Sequence, residues 1–255
     1  MIAVEDPPGF VVRTEAQKAA ASNGFRIERG IEGGWLHFGS TTAVGEIWIA
    51  GVSKDGPWFL SLERAEVGRE LGLSANSLVL GPGSTTFMFD ALGALYSALD
   101  RAYRLGLSLP DAPLRSFYAV TMNLPRATEA ERLVVQRVGQ SLFREALIAY
   151  WGGRCPLTGI TDHALLRASH IVPWAECVTD AHRLDVHNGL LLSALWDAAF
   201  DSGLISFSDD GVVLASPALS VDAASTLAVP RSFRLSGLTT AHRENLGWHR
   251  AQHNF

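Results

Sequence analysis

The stretch "LLRASHIVPW", residues 165–174, sets His170 between two apolar runs and ends in Pro173-Trp174. Alone it reads as a β-strand with one histidine, and such a histidine is ordinarily a hydrogen-bonded core or edge residue. The residues C-terminal to Trp174 change that reading. A polar loop, "AECVTDAHRLDVH" (175–187), leads to a second strand, "NGLLLSA" (188–194), and then to a short helix, "LWDAAFDSGL" (195–204). The order is strand, loop, strand, helix. Asp197 and Asp201 stand four apart, so their carboxylates share one side of that helix. A compact ββα unit would gather His170, Asn188 and both aspartates around one metal ion.

Those residue types suit phosphodiester hydrolysis. Water is a poor nucleophile, and a neutral imidazole with a pKa near 7 can take its proton as attack begins. That assigns His170 as the base. An asparagine can orient the imidazole or help a metal, which makes Asn188 a candidate for either role. A divalent ion on carboxylate oxygens stabilises charge building on the phosphate and the departing oxygen. Asp197 is the first candidate ligand. Asp201 is either a second ligand or a cap for the local amides before Ser202-Gly203.

Four segments carry a family resemblance: "GGRCPLTG" (152–159), "ASHIVPW" (168–174), "HRLDVHNGLLLSALWDAAFDSGLISF" (182–207) and the tail "ENLGWHRAQHNF" (244–255). Together they resemble the HNH endonucleases, in particular the restriction-type branch with a C-terminal HNH domain. The likeness implies a ββα-metal nuclease fold, with the first motif histidine at His170 and the central asparagine at Asn188. The family's final histidine falls at Trp196 or Asp197, where this chain has none. Ser169 stands where an aspartate or histidine usually precedes the catalytic histidine. With Asp197 substituting, an oxygen-rich site favours Mg2+ or Mn2+. The resemblance also implies double-stranded DNA as substrate and products with a 5′ phosphate and a 3′ hydroxyl; cutting both strands calls for two active sites, so a homodimer is expected. Retention of the shape without the metal would instead give a DNA-binding protein that does not cut.

Working outward, "NLPRATEAE" (123–131) marks a boundary, because Thr128 and Glu131 have capping-box spacing and open a helix that can run to about Trp151 before Gly152-Gly153. The expected fold is α+β, with an N-terminal mixed α/β module over 1–124 and the HNH domain with its leading helix over 125–255. In the first module "GGWLHF" (33–38), "GEIWIAG" (45–51) and "GPWFLSL" (56–62) read as strands, "LERAEVGRELG" (62–72) as a short helix, and Asp90 opens a longer one. "RSFYAVTM" (115–122) reads as a further strand. Trp35, Trp48 and Trp58 either line a pocket for a flipped base, modified or not, or pack a core. The module is expected to select the DNA or to sense a ligand that switches the nuclease on.

In the C-terminal domain His182, Arg183 and His187 either touch phosphate or are solvated loop residues. His249 and Arg250 in the tail helix are DNA-contact candidates on the same footing. "SFSDDGVVL" (206–214) reads as a hairpin turning at Asp210-Gly211. Cys155 begins "CPLTG" with Thr158 where a CxxC pair needs its second thiol, so no structural zinc is expected. The formal charge of −5 supplies no global field for nucleic acid, so a DNA contact must be local. Lys18 and Lys54 are the only lysines, and the arginine bias suits phosphate contacts or reflects codon composition. The N-terminus has no basic segment followed by an apolar one, which points to a soluble, cytoplasmic protein without a membrane span.

Overall fold

The computed structural model describes residues 3–75, 78–125, 127–227 and 234–255. The chain divides into two compact units, Met1–Leu107 and Ser108–Phe255. No helix among the described residues is long and apolar enough to cross a membrane.

The first unit is a five-stranded antiparallel sheet in sequential order with three helices. Helix α1 (Phe10–Ser22) precedes β1 (Ile27–Glu32), β2 (Trp35–Gly39), β3 (Ile47–Gly51) and β4 (Trp58–Leu62). Helix α2 (Ala65–Glu70) then leads to β5 (Thr85–Phe89) and α3 (Leu92–Ser108). The three sequence-predicted strands and both predicted helices are present. Register places Leu36, Ile49, Leu60 and Phe87 in one cross-strand row, all buried. Alternation along a strand sends this row to one face and its neighbours to the other, where Trp35, Ala50 and Phe59 pack with Val79. Both faces are therefore apolar, as in a sheet covered on two sides.

That two-sided burial corrects the base-pocket reading. Trp58 is 1% exposed and Trp35 5% exposed. Trp48 is half-buried, stacked on His37 at 4.6 Å and packed against the Trp35 cluster. Two of the three rings have no face left for a base, and the third is already stacked on an imidazole.

The second unit opens with α4 (Asp111–Thr121) and α5 (Glu129–Tyr150). The expected strand at 115–122 lies almost wholly within α4. An apolar run such as SFYAVTM fits either period. The helix is decided by Pro113, Phe117 and Thr121, which are spaced by four, are all buried, and form the stripe that packs toward α5. Pro113 sits in the first turn, where its missing N–H is no loss. This packing places α4 with the C-terminal unit, so the division falls before Ser108 rather than near residue 125. Helix α5 begins at the capping box: Thr128 Oγ1 accepts from the Glu131 amide at 3.2 Å, and the Glu131 carboxylate accepts from the Thr128 amide at 2.8 Å. It ends at Gly152 and Gly153, both left-handed.

Next come β6 (Leu166–His170), the short α6 (Asp180–Arg183), β7 (Gly189–Ser193) and α7 (Ala194–Asp201). β6 and β7 form an antiparallel pair running from Leu166↔Ser193 to His170↔Gly189. Helix α7 and helix α5 both pack against both strands. A Cβ on Gly189 would lie 2.5 Å from the Phe143 ring and 2.8 Å from Leu147 of α5, so only glycine allows this approach. The unit closes with the hairpin β8 (Ile205–Phe207) and β9 (Val213–Ala215), then α8 (Val221–Thr226) and α9 (Thr240–His253). Asp210-Gly211 forms the hairpin turn, with Gly211 at φ 76°.

Candidate active site

β6 divides its side chains between two neighbours because successive residues point to opposite faces. Ser169 turns toward α7, and its hydroxyl donates to Asp201 Oδ1 at 3.3 Å. His170 turns toward α5, where its ring stacks on Phe143 at a centroid distance of 3.8 Å and 16° between planes. Trp174 meets the ring edge-on at 5.8 Å.

The tautomer of His170 is set by its hydrogen bond to a main-chain carbonyl. Nε2 lies 2.9 Å from the Arg183 carbonyl oxygen, which can only accept, so Nε2 carries the proton and Nδ1 holds the lone pair. Burial lowers the pKa to about 4, against a smaller opposing effect of the Arg183 carbonyl. The ring is neutral at pH 7 and well past its titration there, rather than poised near neutrality as the residue type suggests.

Asn188 does not do what its place in the sequence suggests. It is fully buried. Its Oδ1 accepts from the Val172 amide at 2.8 Å, and its Nδ2 donates to the carbonyls of Val172 (3.1 Å) and His182 (3.3 Å), with Cys177 Sγ also at 3.3 Å. Every polar atom is engaged within the loop, with Oδ1 on a main-chain amide and Nδ2 on main-chain carbonyls. The residue pins the strand end to the segment whose carbonyl holds His170.

Asp197 and Asp201 are brought together on the α7 face as their spacing predicts. Burial raises both pKa values. The Ser169 hydroxyl and then Arg167 partly offset this at Asp197, whereas the charge of Asp197 raises Asp201 further. The Ser202 and Gly203 amides bond to the Ala198 and Phe200 carbonyls, so the local-cap reading of Asp201 is not what the structure contains. Among the described residues no three His, Cys, Asp or Glu side chains cluster as a ready-made metal centre. Asp197, half-buried, and Asp201, exposed at the helix end, flank the Ser169 hydroxyl, and together these oxygens are a donor set of the kind that suits a hard divalent cation.

The remaining DNA-contact candidates are engaged inside the unit. Arg183 donates to the Trp174 carbonyl at 3.2 Å, to the Cys177 carbonyl, and to Asp180 at 3.0 Å. It ties the loop together. His182 bonds Asn245 of α9 at 3.1 Å, and His187 Nδ1 bonds Asp185 at 2.8 Å. Arg250 donates to the Phe207 carbonyl at 2.7 Å and pairs with Asp209. His249 is 3% exposed and stacks on Phe200 at 3.9 Å, with Nε2 donating to the Phe200 carbonyl and Nδ1 accepting from Ser206. It packs as a core residue with both ring nitrogens engaged inside the unit.

His249 also makes stability pH-dependent. Burial lowers its pKa to about 4, so between pH 6.5 and 4 the unfolded chain takes up a proton that the folded one refuses. Its contribution is complete above pH 6.5 and is lost as pH falls through that window, by roughly 2 kcal/mol between pH 7 and 5. His170 acts in the same direction, and the raised Asp197 and Asp201 oppose it. Urea midpoints should therefore fall from pH 7 to 5, and His249→Phe should flatten that dependence. An undiminished slope in the variant would remove His249 as its source.

A cleft of about 340 Å3 borders the site, and its walls include His170, Ile171, Trp174, Asp201, Trp248, His249 and His253. Phe143, Ser169 and His253 were not singled out by sequence reasoning as site residues. Only Ser169 carried a signal, since it occupies a family ligand position. No curated protein matches the chain. Residues 155–208, which span β6, β7, α7 and β8, match the family of HNH endonucleases, so the C-terminal part of this chain carries an HNH endonuclease domain.

Proposed function

We propose that the protein is a metal-dependent DNA endonuclease in which His170 activates the attacking water. The observation that carries this reading is the Nε2 bond to the Arg183 carbonyl, which leaves Nδ1 as the accepting nitrogen of a residue bordering the cleft that Asp201 also borders. Nδ1 takes a proton from water as the water oxygen bonds to phosphorus. The bond from phosphorus to the 3′ oxygen breaks, and that oxygen takes a proton from solvent. Phe143 and the Arg183 carbonyl hold the ring through both changes. Asp197 and Asp201 would hold a divalent ion, Mg2+ or Mn2+, which when bound would supply positive charge toward the phosphate and the leaving oxygen.

Restriction of foreign DNA is the setting we favour, with the N-terminal unit selecting the target or its modification state and two copies of the chain cutting the two strands. The separateness of the two units supports a division of labour, and a duplex cut by one site per chain calls for a dimer. The test is incubation of modified and unmodified plasmid and phage DNA with the protein and Mg2+, Mn2+ or no metal. Absence of cleavage in every arm would overturn the reading.

Asp197→Ala should raise the cation concentration needed for half-maximal cleavage by roughly tenfold or more, since one of two carboxylates is lost. Asp197→His should restore activity preferentially with Mn2+, Co2+ or Ni2+, because imidazole is the softer ligand. Metal titrations of cleavage check both. An unchanged titration for Asp197→Ala would place the ion elsewhere.

A further inference from the structure

Most histidines of the C-terminal unit are engaged: His170 to Arg183, His182 to Asn245, His187 to Asp185, His242 to Thr239, and His249 to Phe200 and Ser206. The ring nitrogens of His163 and His253 bond to no described residue, and of the two only His253 forms part of the wall of the cleft shared by His170 and Asp201. Its position is fixed from two sides. The ring lies 4.5 Å from that of His249, and it rests over Gly203, where a Cβ would come within 2.1 Å of Nδ1 and the backbone is left-handed at φ 65°. Gly203 is two residues beyond Asp201, so one turn sets both the carboxylate and the seat of this imidazole.

The α9 anchors keep the ring there. Arg250 is bound to the Phe207 carbonyl and His249 to the Phe200 carbonyl, which hold the last turns of α9 against α7 and β8. An imidazole held in the wall of a cleft, with its ring nitrogens bonded to no described residue, is a hydrogen-bond donor awaiting an acceptor. The walls also include Trp174 and Trp248, flat apolar surfaces suited to a sugar or base. The cleft thus combines a donor for phosphate, aromatic walls and the hydrolytic groups, within a volume of nucleotide scale.

We propose that this cleft is a subsite for one nucleotide of the cleaved strand, in which His253 donates a hydrogen bond to a backbone phosphate and Trp248 packs against the adjoining sugar or base. The proposal rests on the nuclease reading above for the identity of the strand, but it is tested by binding rather than cutting. His253 is outside the proposed cation pair and is not the base.

The experiment measures affinity of the full-length protein for a duplex oligonucleotide without divalent metal, over a range of salt, for wild type, His253→Ala, His253→Gln and the control His163→Ala. His163 lies outside the cleft walls. The expected result is about tenfold weaker binding for His253→Ala, a smaller loss for His253→Gln, whose amide still donates, no change for His163→Ala, and unchanged thermal midpoints throughout. With cleavage followed in Mg2+, KM should rise with little change in kcat. Unchanged affinity in His253→Ala, or a loss matched by His163→Ala, overturns the proposal even if the wild type cuts DNA. Selective loss of binding in a protein that cuts nothing supports it while overturning the nuclease reading.

Discussion

His170→Ala should lower the rate of DNA cleavage by a hundredfold or more at saturating DNA and metal, while DNA affinity stays within a few fold of wild type. The loss belongs to the transition state, because the ring accepts a proton only as the water oxygen bonds to phosphorus. It should therefore appear in kcat. The substitution also vacates the face of Phe143, so a modest fall in thermal midpoint is expected, and the assay is run well below that midpoint. His170→Asn separates the two effects, since its amide fills part of the gap but cannot accept the proton at neutral pH. Two slow variants of different stability would tie the effect to chemistry. A wild-type rate in either would remove His170 from the mechanism.

The range of the forces involved decides which features are legible in the sequence. The Thr128–Glu131 capping box and the Gly152-Gly153 stop were legible because each is decided within a few residues. The β6, β7 and α7 order was legible because apolar runs bounded by a polar loop have few alternatives, and the i, i+4 spacing correctly placed Asp197 beside Asp201. The segment 115–122 was not legible, because Phe117 owes its helical place to packing toward α5, a contact no local pattern contains. The same blindness affected the polar residues. Asn188, His249 and Arg183 have the chemistry of a site, and only tertiary structure shows that backbone carbonyls already occupy them. Conversely, the partner that fixes the tautomer of His170 is a main-chain carbonyl, which no side-chain pattern marks.

Asn188→Ala should be the most damaging single substitution to folding in the C-terminal unit, by about 3 kcal/mol or more. The wild-type side chain is fully buried and satisfies the Val172 amide, the Val172 carbonyl and the His182 carbonyl. Alanine leaves these without their partner where water does not reach, and each unsatisfied group costs about 1–3 kcal/mol. Asn188→Asp should be no better, because a carboxylate can accept from Val172 but cannot donate to either carbonyl and brings a buried charge. The consequence reaches catalysis through Arg183, which comes directly after His182 in the chain and whose carbonyl fixes the His170 ring. Cleavage should therefore fall in parallel with the urea midpoint, and cooling that restores the fold should restore part of the rate. If Asn188 were instead a metal ligand, the substitution would raise the cation requirement and leave the midpoint nearly unchanged. Measuring both quantities on one variant separates a residue that builds the site from one that works in it.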